Sequence, residues 1–84
     1  MNPIPPIKRF ILRALSVARG LPLREELLQE ACSLLAPPPL KSDLRQALAE
    51  LEADAFIQAA RDDLDPALLT YTLTEKGKHK AQQL

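Results

Sequence analysis

The sequence predicts an α+β domain in which three helices precede an antiparallel hairpin and a short helix follows it. Three observations carry that expectation. Within residues 41–54, Leu44, Ala47, Leu48 and Leu51 recur at the three- and four-residue spacings that bury one helical face. Between residues 69 and 73, Leu69, Tyr71 and Leu73 alternate with Thr70 and Thr72, the period of two that a half-buried strand requires. The segment from Asp62 to Pro66, rich in the turn formers Asp and Pro, separates that strand from another over Phe56–Arg61.

In chain order, Pro3, Pro5 and Pro6 extend the first residues, and proline suits the first turn of a helix. Helix 1 is expected from Pro6 to Arg19, with Gly20 ending it in a left-handed conformation. Its buried face is Ile7, Phe10, Ile11, Ala14, Leu15 and Ala18, and Lys8, Arg9, Arg13 and Arg19 fall on the other side. A solvated face is the plain reading of those bases, ahead of a phosphate- or membrane-binding one. Leu12 projects among them, exposed and available to seed a dimer contact. Leu21-Pro22-Leu23 reads as a short edge strand. Helix 2 is expected over Arg24–Ala36, with Leu27, Leu28, Ala31, Leu34 and Leu35 apolar and Glu25 and Glu26 favouring the positive end of its dipole. Cys32 lies beside that face as a small core filler, with no neighbouring base to activate it. Pro37-Pro38-Pro39 ends helix 2 and stiffens the corner that aims helix 3.

Helix 3, from Lys41 to Asp54, turns Ser42, Arg45, Gln46, Ala49 and Ala53 outward when its leucines face inward, with Glu50 at the margin. Arg can clamp guanine, Gln can pair with adenine, and Ala can meet a thymine methyl. A solvated helix face has similar chemistry, and Asp43, Glu50, Glu52 and Asp54 outnumber Lys41 and Arg45. Helix 4 begins at Thr74, whose hydroxyl can cap it. Gly77, lacking a side chain, suits close packing on the hairpin. Lys76, Lys78 and Lys80 surround His79, a lone histidine read as solvated.

Helix, antiparallel hairpin and helix in this order form the layout of a winged helix-turn-helix. Leu51-Glu52 followed by Ala55-Phe56-Ile57, and then Tyr71-Thr72-Leu73-Thr74-Glu75-Lys76-Gly77, resemble the "LE..GLI" and "LTEKG" words of MarR-like and PadR-like bacterial transcriptional regulators. The resemblance covers about half the chain by motif and nearly all of it by element order. It implies duplex DNA as partner and residues 41–54 as recognition helix. A homodimer through helix 1 or the C-terminal helix would match operator symmetry. The DNA-contacting set it singles out is Lys41, Ser42, Arg45, Gln46 and Ala49, with Arg61 at the wing base and Lys76 and Lys78 on helix 4. One departure is plain. Such regulators commonly carry Arg or Lys at the wing tip, and here the tip reads Asp62-Asp63-Leu64-Asp65-Pro66.

Composition and charge set the bounds. Eighty-four residues make one small domain with one core, of the size where oligomerisation often adds stability. Net charge is zero but unevenly spread. Residues 1–24 carry five bases and no acid, residues 25–65 three bases against ten acids, and residues 66–84 three bases against one acid. One cysteine excludes an internal disulfide and fits a reducing cytoplasm. No apolar run has the length of a membrane span, and no signal-peptide layout is present. One His and one Cys are too few for a four-ligand zinc site, and two glycines form no phosphate loop. Asp62, Asp63 and Asp65 lack the glycine and distal glutamate of a calcium loop. No enzyme constellation and no cofactor site is expected. Two readings stand: a small DNA-binding regulator, and a winged-helix protein-interaction module of a larger assembly that uses the acidic wing and helix 3.

Overall fold

A computed structural model gives the structure of the protein and describes residues 5–84 except 62, 66 and 67. Seven elements follow in order: α1 (Pro6–Val17), β1 (Leu23–Arg24), α2 (Glu25–Cys32), α3 (Lys41–Ala53), β2 (Ile57–Arg61), β3 (Leu69–Leu73) and α4 (Glu75–Gln82). The strands form one antiparallel sheet in the order β1-β3-β2. Ile57 pairs with Leu73 and Arg61 with Leu69 across the hairpin, and Leu23 pairs with Tyr71 on the other edge. This is the expected α+β winged-helix arrangement, with β1 completing the wing sheet. Part of the wing turn, including Asp62 and Pro66, lies outside the described residues.

Helix α1 is the central element, packed against α2, α3, α4 and β3. Pro6 opens it, its missing N–H costing nothing in the first turn. It stops at Val17, two residues short of the sequence expectation, because Arg19 (φ 53°) joins Gly20 (φ 89°) in the left-handed region. Ile11, Leu12 and Leu15 are its buried residues. The burial of Leu12, only 1% exposed, corrects the expectation that it projects into solvent as a dimer contact. The stripe is wider than one neighbour would make it, because α4 covers a second side of α1. There Leu15, Ser16 and Arg19 face Lys78 and Gln82, and Leu12 lies one turn before Leu15 and Ser16.

Around α1 the core gathers Leu28 and Cys32 from α2, Leu44, Ala47, Leu48 and Leu51 from α3, and Ile57 and Tyr71 from the sheet. Ile7, Phe10, Leu35 and Leu73, expected inside, are half-buried at its margin. Leu27 corrects a second expectation, being 50% exposed. Helix α2 is only eight residues long and seats the Leu28–Cys32 ridge inward, which turns Leu27 outward by one residue's rotation, roughly 100°. Cys32 is fully buried, and desolvation pushes its thiol pKa up, so it is a core filler and no nucleophile.

The corner between α3 and β2 is densely hydrogen-bonded. Three consecutive carbonyls there accept from the start of α4: Asp54 from Lys76 Nζ (2.8 Å), Ala55 from the Thr74 hydroxyl (2.5 Å), and Phe56 from the Thr74 amide (3.1 Å). Thr74 Oγ1 also accepts from the Gly77 amide (3.0 Å), capping α4 as its sequence signals. A Cβ at Gly77 would overlap the Phe56 carbonyl oxygen and stand 2.9 Å from its carbon, so only glycine fits. The Lys76 ammonium lies 4.6 Å above the Phe56 ring. Ala55 turns the corner with φ 63°, at the position where the "LE..GLI" word has glycine.

Candidate nucleic-acid interface

Helix α3 owes its direction to that corner and its roll to its leucines. With Leu44, Leu48 and Leu51 buried, Lys41, Ser42, Arg45, Gln46 and Ala49 are all exposed. The N-terminal turn is only half capped: the Leu40 amide donates to Asp43 Oδ2 (3.2 Å), but Leu40 has no side-chain acceptor to return the bond.

The outward residues divide between two hollows. Arg45 and Ala49 line a groove of about 350 Å³ between α3, the first turn of α2 and the wing end of β3, together with Arg24, Glu25, Glu26, Glu52, Leu68, Leu69 and Tyr71. Gln46 and Glu50 instead border a smaller hollow with Pro5, Ile7 and Lys8. There Lys8 pairs with Glu50 at 3.4 Å. In the first groove Arg45 Nε donates to Glu25 Oε1 at 2.9 Å, an ion pair in which the arginine remains largely exposed. Burial raises the pKa of the Tyr71 phenol, and Glu25 and Glu52 raise it further while Arg45 lowers it. The hydroxyl thus senses the same charges as the groove.

Of the residues singled out by the sequence, Lys41, Ser42, Arg45, Gln46 and Ala49 share the outward side of α3. Arg61 stands exposed at the wing base, paired with Leu69. Lys76 and Lys78 are not brought to them. Lys76 binds the Asp54 carbonyl beyond the opposite end of α3, nine residues or roughly 14 Å along the axis from Arg45. Lys78 pairs with Glu75 at 3.3 Å on the exposed side of α4. Sequence reasoning did not find Glu25 as Arg45's partner, nor Arg24 and Leu68 as groove walls. Glu25 carried a local explanation, the helix dipole, and its pairing spans twenty positions.

No protein-family model and no curated protein matches the sequence. Solved structures do match the fold. The adhesin competence repressor AdcR from Streptococcus pyogenes superposes with a TM-score of 0.80 at 20% identity, over 95% of this chain and 53% of that one. A mutant of MepR from a multidrug resistant S. aureus clinical isolate gives 0.82 at 18% identity, over 95% and 54%. FabT from Streptococcus pneumoniae, solved in complex with DNA, gives 0.76 at 15% identity, over 95% and 51%. These neighbours are MarR-family winged-helix transcriptional regulators. The present chain has their winged-helix fold and spans about half their length.

Proposed function

We propose that this protein is a DNA-binding transcriptional regulator that reads duplex DNA, as a homodimer, with the exposed face of α3. The observation that carries the reading is the shared exposure of Ser42, Arg45, Gln46 and Ala49 in the N-terminal half of α3, the part of a recognition helix that enters the major groove. Lys41 and Arg61 flank that face and supply phosphate contacts. The fold shared with transcriptional regulators, one of them solved with DNA, supports the same reading.

The ion pair between Arg45 and Glu25 fits this role energetically. An exposed pair is worth about 0–1 kcal/mol, whereas a bidentate arginine–guanine contact is worth about 1–3 kcal/mol. Arg45 therefore exchanges its carboxylate for a base with a net gain. Glu25, Glu26 and Glu52 stay beside the groove and oppose the approach of phosphate, so affinity rests on base contacts more than on charge. The same carboxylates, with Asp63 exposed on the wing, favour a second reading: a protein-interaction module of a larger assembly that offers α3 and the wing to a basic partner.

Fluorescence anisotropy at about 50 mM salt, where phosphate contacts are strong, separates the two. The regulator binds duplex DNA, and Arg45→Ala costs about 1–3 kcal/mol at a specific site. A native protein that binds no duplex under these conditions ends the regulator reading and leaves the interaction module.

A further inference from the structure

The charges that line the α3 groove do not cancel within it. Glu25, Glu26 and Glu52 stand against Arg24 and Arg45, which leaves one negative charge in excess. Glu25 is engaged by Arg45, whereas Glu26 and Glu52 form no ion pair among the described residues. The hollow beside Lys8 differs, since its Glu50 meets Lys8 and its Asp43 accepts from the Leu40 amide. Tyr71 supplies an independent observation. It is only 8% exposed, yet it lines the groove. Its hydroxyl makes no hydrogen bond among the described residues, and none of their polar side-chain atoms that is sealed from solvent lacks a partner. The hydroxyl therefore opens on the groove, free to accept from an incoming donor.

The rest of the wall is apolar, with Leu48, Leu68 and Leu69, the last 42% exposed. Two unpaired carboxylates, an open phenol oxygen and an aliphatic wall together call for a cation with several N–H donors on an apolar stem. An arginine side chain has each of these: a fixed charge, a planar fork of donors and a stem that lies along apolar surface. Arg45 itself, with Nε 2.9 Å from Glu25 Oε1, shows that a guanidinium suits these carboxylates. Lysine carries a compact, more strongly hydrated charge that cannot fork between two acids in the same way. A free arginine would leave Leu69 and the adjoining wing open to solvent, whereas the flanking residues of a polypeptide would cover them.

We propose that the α3 groove receives an arginine side chain from a partner protein, with Glu26 and Glu52 as its carboxylates and Tyr71 as a hydrogen-bond acceptor. The proposal deepens the interaction-module reading of this face and rests on it. The test follows the ring resonances of Tyr71 by NMR while the full chain is titrated at constant ionic strength. The probes are a short alanine peptide with one central arginine, the same peptide with lysine or with neutral citrulline in its place, and acetyl-arginine amide. The arginine peptide is expected to shift the ring resonances to saturation. It should bind about tenfold more tightly than the citrulline peptide, the loss expected for charge-assisted hydrogen bonds, and more tightly than the lysine peptide and the amide. Glu26→Gln and Glu52→Gln, both at exposed positions and checked for folding by circular dichroism, should each weaken it roughly threefold. An arginine peptide that leaves Tyr71 unmoved, or binds no better than the other three probes, overturns the proposal. So does binding indifferent to both glutamate variants. A lysine-rich peptide followed by fluorescence anisotropy reports the wider reading separately: if it binds while the arginine peptide leaves Tyr71 unmoved, only the arginine site falls.

Discussion

At its C-terminal end α3 is fixed by three consecutive backbone carbonyls, each accepting a hydrogen bond from the first residues of α4, and by a glycine pressed against one of them. In its N-terminal half the same helix carries, among the described residues, a single exposed ion pair, Arg45 to Glu25, and a half-finished cap. The difference has a functional sense. In the proposed function a reading helix must be aimed accurately, and the corner does this with bonds to three consecutive backbone carbonyls and a glycine packed against one of them. Its contact residues must also be able to exchange partners, which an exposed pair permits at small cost. One helix is rigid at one end and exchangeable at the other.

The sharpest way to break this contrast is Gly77→Ala. In a free helix that change stabilises by about 1 kcal/mol, because alanine is the better helix former. Here the new Cβ would overlap the Phe56 carbonyl oxygen, so backbone must move. A net loss of about 3 kcal/mol is expected, and a melting temperature lower by more than about 10 °C. The sign alone decides: a variant more stable than the native protein would mean that α4 does not press on the corner.

Arg45→Ala probes the other end and should leave the fold nearly untouched, within about 0.5 kcal/mol for an exposed pair, while weakening specific DNA binding by the amount stated above. Glu25→Gln sharpens the point. It releases Arg45 and removes a negative charge beside the proposed DNA site, so duplex binding should tighten by about 1 kcal/mol. In the Arg45→Ala background the gain should shrink, since part of it acts through the arginine. Equal gains in both backgrounds would reduce Glu25 to a general repulsive charge.

Tyr71 reports on the same pair. It is the only tyrosine and the chain has no tryptophan, so ultraviolet absorbance follows one phenol. Burial, then Glu25 and Glu52, hold its pKa above 10.0, and Arg45 pulls the other way. Glu25→Gln should therefore lower the titration midpoint and Arg45→Ala should raise it. The folded state favours the neutral phenol. Its contribution to stability is thus full below pH 10.0 and is lost as pH rises through the raised value. Identical midpoints in all three proteins would place Tyr71 outside the field of the pair.

What the sequence made legible follows the same division between near and far. Thr74 as a cap, Gly77 as a close-packing residue, the α3 stripe and the two hairpin strands are signals written within a few residues, and the structure carries each of them. Leu12 and Leu27 escape such signals because local periodicity gives a helix one apolar side, whereas α1 is packed on several sides and α2 is too short to bury its whole set. The Arg45–Glu25 pair joins residues twenty positions apart on different helices, and no local pattern marks it. The exposed residues of the proposed reading face could be named from α3 alone; the carboxylate that pairs with Arg45 could not.

The smallest effect belongs to Ala55, back at the rigid end. Its φ of 63° lies in the left-handed region, where a Cβ costs about 1–2 kcal/mol that glycine avoids. Glycine loses more backbone freedom on folding, which offsets about 0.4–1 kcal/mol of that gain. Ala55 is exposed, so its methyl group adds little packing to lose. Ala55→Gly should therefore stabilise the protein by roughly 0.5–1 kcal/mol, seen as a higher denaturant midpoint at unchanged slope. DNA affinity should not change, because the bonds from Thr74 and Lys76 already fix the direction of α3. A gain in stability accompanied by weaker duplex binding would show instead that the alanine helps to aim the helix. Loss of stability would show that the corner relaxes out of the left-handed region in solution.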